Sequence, residues 1–241
     1  RSGMVAMDLP APYIVGSDLA GTVAGVGPNV ADFKPGDRVW ASNQGLFGNQ
    51  GTFSEFACLD ASWLHRTPET VSDDTAAAIA LTGITAHIGI VFRARLQPGE
   101  TVFVNGGAGG IGSMVVQIAK ALGARVITTA GSDERVERCR ELGADQAVNY
   151  RTTDVAATIR EFAPAGLNVY WETRREVDFE STIPLLAKRG RYIVMAGRDA
   201  RPILPVGPFY VKDCELHGFA MFNYSAAEQT RCGEDLHRWL A

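Results

Sequence analysis

A run of glycines set between a β-forming stretch and an amphipathic one restricts this chain more than any other feature. The segment reads Val102-Phe103-Val104-Asn105-Gly106-Gly107-Ala108-Gly109-Gly110-Ile111-Gly112 and continues into Ser113 to Leu122, where apolar residues recur at helical spacing. Gly107, Gly109 and Gly112 fit the pattern G-x-G-x-x-G. Each place asks for a missing side chain for its own reason: a tight turn at Gly107, backbone approach to a pyrophosphate at Gly109, and close packing of helix on strand at Gly112. The helix that begins there presents unpaired N–H groups and the positive end of its dipole to an anion. Flexible loops are glycine-rich too. What points to a dinucleotide site is the context, with a strand before, a helix after and a second β-rich run, Arg125 to Thr129, next in order.

From about Thr82 the chain alternates between strand and helix patterns. Strands are predicted at Thr101 to Asn105, Arg125 to Thr129, Gln146 to Val148, Asn168 to Trp171 and Tyr192 to Met195, with helices at 110–122, 133–142, 155–162 and 179–187. Such alternation predicts an α/β fold, a doubly wound parallel sheet of Rossmann type. Gly123 and Gly143 stand where left-handed C-caps favour glycine, and Ser132 and Asp154 are N-cap residues. The first 70 or so residues, rich in Gly, Pro and β-branched types, read as irregular β structure. The expected division is residues 1–81 and 82–241.

Composition narrows the function classes. With 23 basic and 27 acidic residues interspersed, a net charge of −4 gives no field suited to nucleic acid or anionic lipid. Cys58, Cys139, Cys214 and Cys232 form no C-x-x-C pair, which fits a reducing, cytoplasmic setting better than a disulfide framework. No uninterrupted apolar run is expected to reach the ~20 residues of a membrane helix.

The end of the second strand reads on the choice of dinucleotide. Where an acidic residue would accept from a ribose 2′-OH, the chain has Thr129-Ala130-Gly131-Ser132, then Arg135 one helical turn on. A hydroxyl and a guanidinium suit a 2′-phosphate, and the expected cofactor is NADP(H). Asp133 and Glu134 stay open as a helix cap or a ribose ligand.

Several ordered motifs resemble the zinc-independent quinone oxidoreductase (zeta-crystallin-like) family of the medium-chain dehydrogenase/reductase superfamily. They are Pro12-Tyr-Ile-Val-Gly16-Ser17-Asp18-Leu-Ala20-Gly21, Phe33-Lys-Pro-Gly36-Asp37-Arg-Val39, Gly51-Thr-Phe-Ser-Glu55-Phe56, Leu81-Thr-Gly-Ile-Thr85-Ala86 and Leu142-Gly-Ala-Asp145 ahead of Asn149-Tyr150. The resemblance implies a partial GroES-like β-rich catalytic domain over 1–81 and a Rossmann domain over 82–241. It places Tyr150 beside Ser132 and Arg135 at the 2′-phosphate, and Thr85 on the nicotinamide side. Thr173 and Gly197 join Gly131 and the turn from Gly107 to Gly112, Ala108, Gly110 and Ile111 included, in the expected cofactor set. It also implies a small-molecule quinone or enone substrate, a cytoplasmic homodimer, and no nucleic acid or membrane as main partner.

Zinc-dependent relatives carry Gly-His-Glu where this chain has Gly16-Ser17-Asp18, so a ligating imidazole gives way to a hydroxyl and no metal site is expected. Cys214 and His217 stand alone at ligand spacing, and His65, His87 and His237 are expected to be structural. Against the family pattern, Arg1-Ser2-Gly3 aligns inside the first domain and Val5 stands where relatives often carry a tyrosine, so the chain is expected to be part of a longer protein. Arg174 and Arg175 replace small residues after the Trp171-Glu172-Thr173 strand end. With Arg198 and Arg201 they suit an anionic substrate tail or a phosphate, or else form a solvated loop.

The expected reaction is hydride transfer from NADPH to a quinone or other α,β-unsaturated carbonyl. Thr85, Asn43 and Gln44 are the polar candidates for steadying developing oxyanion charge. Two rivals stand beside it: an enoyl thioester (acyl-CoA) reductase, and a non-catalytic nucleotide-binding, crystallin-like protein.

Overall fold

The computed structural model describes residues 11–46 and 48–240. The expectations resting on Arg1-Ser2-Gly3 and Val5 lie outside the described residues. The chain divides into two compact units. One is Thr85–Ala220; the other holds the residues up to Ile84 together with those from Met221 onward.

In the first unit, strands β1 (Leu19–Thr22), β2 (Arg38–Ala41) and β3 (His65–Arg66) form an antiparallel sheet in that order. Val39, Trp40 and Ala41 of the central strand are buried, and Trp40 lies opposite both Ala20 and His65. Helix α1 (Asp73–His87) starts with Ser72 accepting from the Thr75 N–H and two acidic residues in its first turn. Asp73 also takes the Arg38 guanidinium at 2.6 Å, tying helix to strand.

The helical segment does not stop at His87 but runs on as a π-helical stretch, Ile88–Arg93. Together the two stretches span 21 residues, long enough and apolar enough on average to cross a membrane by length and composition alone, though charged and polar residues interrupt the run as the sequence indicates. More than half of its most apolar window is buried in the protein, as in a core helix.

The second unit alternates as expected: β4 (Thr101–Val104), α2 (Gly110–Ala121), β5 (Arg125–Ala130), α3 (Asp133–Glu141), β6 (Gln146–Asn149), α4 (Val155–Phe162), β7 (Leu167–Glu172), α5 (Phe179–Thr182), β8 (Leu186–Val194), α6 (Val206–Val211) and β9 (Glu215–Gly218). All six strands are parallel, in the order β6-β5-β4-β7-β8-β9. All four residues of β4 are buried, as a central strand requires. The chain steps from β4 out to β6 on one side and returns to β7 on the other, so the order reverses between β4 and β7. Ligands of open α/β sheets bind beyond the strand C-termini at such a reversal.

Ser132 and Asp154 do cap α3 and α4, and Gly123 and Gly143 follow α2 and α3 with positive φ. The helix expected over 179–187 is shorter. Asp178 caps α5, but Pro184 lacks an N–H, the chain tightens into a 3₁₀ turn at Ile183–Leu185, and β8 already begins at Leu186.

A second difference concerns the last helix, α7 (Ala226–Leu240), which packs in the first unit rather than in an 82–241 domain. Gln229, Cys232, Gly233 and Leu236 recur at helical spacing on one face, and Gln229, Cys232 and Leu236 are at most 1% exposed. Gly233 lies so close to the His65 ring that a Cβ would overlap it. Absence of a side chain at Gly233 is what lets α7 dock on β3.

Candidate cofactor groove

Where β4 ends, the backbone reverses at Gly106, with φ +88°. This residue, rather than Gly107, takes the left-handed turn; Gly107 is glycine because a Cβ there would run into the Thr128 side chain. At Gly112 a Cβ would overlap the Gly106 carbonyl, so helix α2 reaches the strand end only without one. Two threonines pin the turn. Thr128 Oγ1 accepts from the Gly107 N–H at 3.0 Å while donating to the Val104 carbonyl at 2.6 Å. Thr129 Oγ1 accepts from the Gly106 N–H at 3.0 Å and donates to Asn105 Oδ1 at 3.0 Å. Gly109 is the N-cap of α2 and has no side chain to cap it, so the first N–H groups of the helix remain for an outside acceptor.

Over this turn opens a groove of about 640 Å³. Of the expected cofactor residues, Ala108, Gly109, Gly131, Arg135, Tyr150 and Thr173 line it. Gly107, Gly110, Ile111 and Gly112 shape the turn beneath, and Ser132 serves as the cap of α3, its Oγ accepting from Arg135 N at 3.4 Å. Gly197 does not line the groove; with φ +82° it packs against the Arg175 carbonyl.

One end of the groove brings Gly131, Arg135 and Tyr150 together. The Arg135 guanidinium makes no hydrogen bond or ion pair among the described residues. The Tyr150 hydroxyl stands over Gly131, where a Cβ would come within 2.8 Å of it. Asp133, left open as a ribose ligand, is engaged: its Oδ1 takes the Asn149 amide at 2.8 Å.

The other side, after β7, holds a polar cluster that sequence reasoning did not find. Glu172 is fully buried, and its carboxylate accepts from Asn105 Nδ2 at 2.9 and 3.2 Å and from the Arg174 backbone N–H at 2.8 Å. Arg174 Nε and Nη2 stand 3.4 Å away, and the Tyr192 hydroxyl donates at 3.4 Å. Burial, with the nearby Glu172 charge adding, pushes the Tyr192 and Tyr170 phenols above their usual range, so both stay protonated at neutral pH. Thr173 Oγ1 donates to the Asn105 carbonyl at 2.5 Å. Asn105 and Glu172 each end an apolar strand with a polar side chain, a signal that was present in the sequence. Of Arg174, Arg175, Arg198 and Arg201, Arg174 alone lines the groove.

The three residues expected to act on substrate are not in this groove. Thr85 is buried near the end of α1 in the second unit. Asn43 and Gln44 belong to the first unit, where they line a separate hollow of about 310 Å³ with Trp63, Phe222 and Tyr224. Asn43 has φ 64° and a buried Oδ1 without a hydrogen-bond partner, and Gln44 is fixed by bonds to the Ser17 and Ser42 carbonyls.

Metal-ligand chemistry is sparse. Among the described residues no group of three or more His, Cys, Asp or Glu side chains is placed to hold a metal ion. Asp18 is raised above the usual carboxylate range by burial, and its Oδ1 accepts from Ser42 Oγ at 2.5 Å. His217 Nε2 pairs with Glu215 at 2.8 Å.

Comparison with known proteins agrees with this geometry. Residues 110–236 match the family model described as zinc-binding dehydrogenase, and residues 1–69 match that of the alcohol dehydrogenase GroES-like domain. The quinone oxidoreductase of Homo sapiens is 30% identical over 229 residues, 95% of this chain and 68% of that protein. Among solved structures, Escherichia coli quinone oxidoreductase complexed with NADPH is 25% identical with a TM-score of 0.77, over 93% of this chain and 69% of that one. The CurK enoyl reductase is 27% identical with a TM-score of 0.76, over 94% and 68% respectively. Joined to the glycine turn, the six-stranded parallel sheet and its reversal point, these matches establish that the chain belongs to the medium-chain dehydrogenase/reductase superfamily of oxidoreductases, on its quinone oxidoreductase-like branch.

Proposed function

We propose that the chain carries the NADPH site of a zinc-independent reductase that delivers hydride to a quinone or another α,β-unsaturated carbonyl. The observation behind this reading is the groove end formed by Gly131, Arg135 and Tyr150, which offers a free guanidinium and a phenol, while Asp133, two residues before Arg135, is occupied by Asn149. NADP(H) fits the residues present. Gly106, Gly107 and Gly112 leave the turn space that a Cβ would fill, the uncapped start of α2 takes the pyrophosphate, and Arg135 with Tyr150 takes the 2′-phosphate. Bound there, the nicotinamide supplies the hydride.

What the chain supplies is placement and charge. Gly106 and Gly107 are held by Thr129 and Thr128, so the turn is organised before ligand arrives and binding costs less conformational entropy. Asn43 and Gln44 in one unit, and Thr85 in the other, are the polar side chains proposed for steadying oxyanion charge, each taken by itself. An amide such as that of Asn43 has N–H donors of the kind that steady an oxyanion without metal, whereas Gln44 Nε2 already donates to the Ser42 carbonyl. The zinc-independent reading draws on Ser17, a hydroxyl where zinc-dependent relatives carry an imidazole, and on Asp18, whose carboxylate already accepts from Ser42.

The second reading, an enoyl thioester reductase, draws on the likeness to CurK and on Arg174 as a cation for an anionic acyl carrier. NADPH consumption measured with para-benzoquinone and with crotonyl-CoA separates the two. Turnover with the quinone, unchanged after dialysis against a chelator, is expected. Turnover with the thioester alone favours the second reading, and binding of NADPH without turnover on either acceptor favours a non-catalytic nucleotide-binding protein.

A further inference from the structure

The polar cluster behind the glycine turn forms one connected chain of hydrogen bonds. It runs from the Gly106 N–H to Thr129 Oγ1, from that hydroxyl to Asn105 Oδ1, and from Asn105 Nδ2 to the Glu172 carboxylate, which also accepts from Arg174. A fully buried carboxylate needs a cation and several donors to be tolerated. Glu172 has them, but its cation is only partly used. The Arg174 side chain is 52% exposed, its two side-chain bonds to Glu172 are long at 3.4 Å, and its Nη1 makes no bond among the described residues. One face of the guanidinium is therefore held from behind while the other lines the groove.

Sheet order says what that face meets. Arg135 and Tyr150 follow β5 and β6, the glycine turn follows β4, and Arg174 follows β7, so the three lie in that order across the strand ends. A dinucleotide with its 2′-phosphate at Arg135 and its pyrophosphate at the glycine turn brings its second phosphate, the one on the nicotinamide ribose, toward β7. We infer that Arg174 binds this nicotinamide-side phosphate and that buried Glu172 is the residue that positions it, fastening the cation to the same hydrogen-bond chain that fixes the glycine turn. The inference rests on the dinucleotide reading of the groove.

Calorimetric titration with NADPH, NADH and adenosine 2′,5′-bisphosphate tests it. The last ligand carries the 2′-phosphate and the adenosine-side phosphate but lacks the nicotinamide-side one. Arg174→Ala should weaken NADPH and NADH by the same factor, roughly tenfold or more for a lost charge-assisted bond, and leave the bisphosphate unchanged. Arg174→Lys, which keeps the charge, should recover most of the loss. Glu172→Gln should weaken the two dinucleotides but add no further loss in the Arg174→Ala background, the non-additive result expected of a residue acting through another. Unchanged dinucleotide binding in Arg174→Ala, or equal weakening of the bisphosphate, overturns the assignment while leaving the groove reading intact. If the parent chain binds none of the three, the groove reading itself falls, and this inference with it.

Discussion

Arg135 leaves the first turn of α3 with its guanidinium unpaired among the described residues, so removing it breaks nothing in the protein and only subtracts from the ligand. Arg135→Ala should weaken NADPH by about 1.5–3 kcal/mol, the range of a charge-assisted hydrogen bond, with NADH unchanged, as read by fluorescence titration. Equal weakening of both nucleotides removes Arg135 from the 2′-phosphate site. A second residue-scale prediction comes from His65, buried against Trp40 and α7, whose pKa is lowered by burial from 6.5 to about 4. Its folded form resists the proton that the unfolded form accepts, so its contribution is complete above pH 6.5 and is lost as pH falls from 6.5 toward 4. Up to roughly 3 kcal/mol is at stake in that window. Urea midpoints from pH 7 to 4 should fall less steeply in His65→Gln than in the parent. That Gly131, Arg135 and Tyr150, proposed for the 2′-phosphate, would share one groove was legible because each is a residue type at a fixed offset from a strand end. Glu172 and Asn105 were not, since a carboxylate at a strand end reads the same whether it faces solvent or pairs inward, and only β4 and β7 lying side by side decides it.

Elements declared themselves where local signals agreed with packing. Helices α2, α3 and α4 begin and end within a residue of their expected positions, because caps, following glycines and apolar spacing mark the same boundaries. The 179–187 helix was misjudged because its apolar residues belong to a short helix, a 3₁₀ turn and a buried strand in succession, and periodicity does not separate these. Helix α7 was assigned by sequence order to the Rossmann unit, yet its buried stripe is matched by His65, more than 160 residues earlier. That contact is testable. Gly233→Ala places a methyl group into the His65 ring and should cost about 1–3 kcal/mol, the usual penalty of overpacking. Native-state hydrogen exchange should show the loss at amides of α7 and β3, with those of β4 to β9 unmoved. Uniform loss across both units would mean that α7 does not belong to the first.

On the scale of the molecule, one unit carries the groove proposed for a dinucleotide and the other a separate polar hollow lined by Asn43 and Gln44. Fold class and family were readable from the sequence because a parallel sheet with a glycine turn at its centre needs a particular order of short motifs. The exact partition was not, since it depends on which buried faces meet. Everything proposed for function passes through a single premise, that the groove is shaped for a 2′-phosphorylated dinucleotide. The direct test is calorimetric titration of the 241-residue chain with NADPH and with NADH under the same ionic strength. The account predicts that NADPH binds at least about tenfold more tightly, a difference of ~1.4 kcal/mol or more, and that the gap narrows as salt screens Arg135. Equal affinity, or tighter binding of NADH, would contradict it.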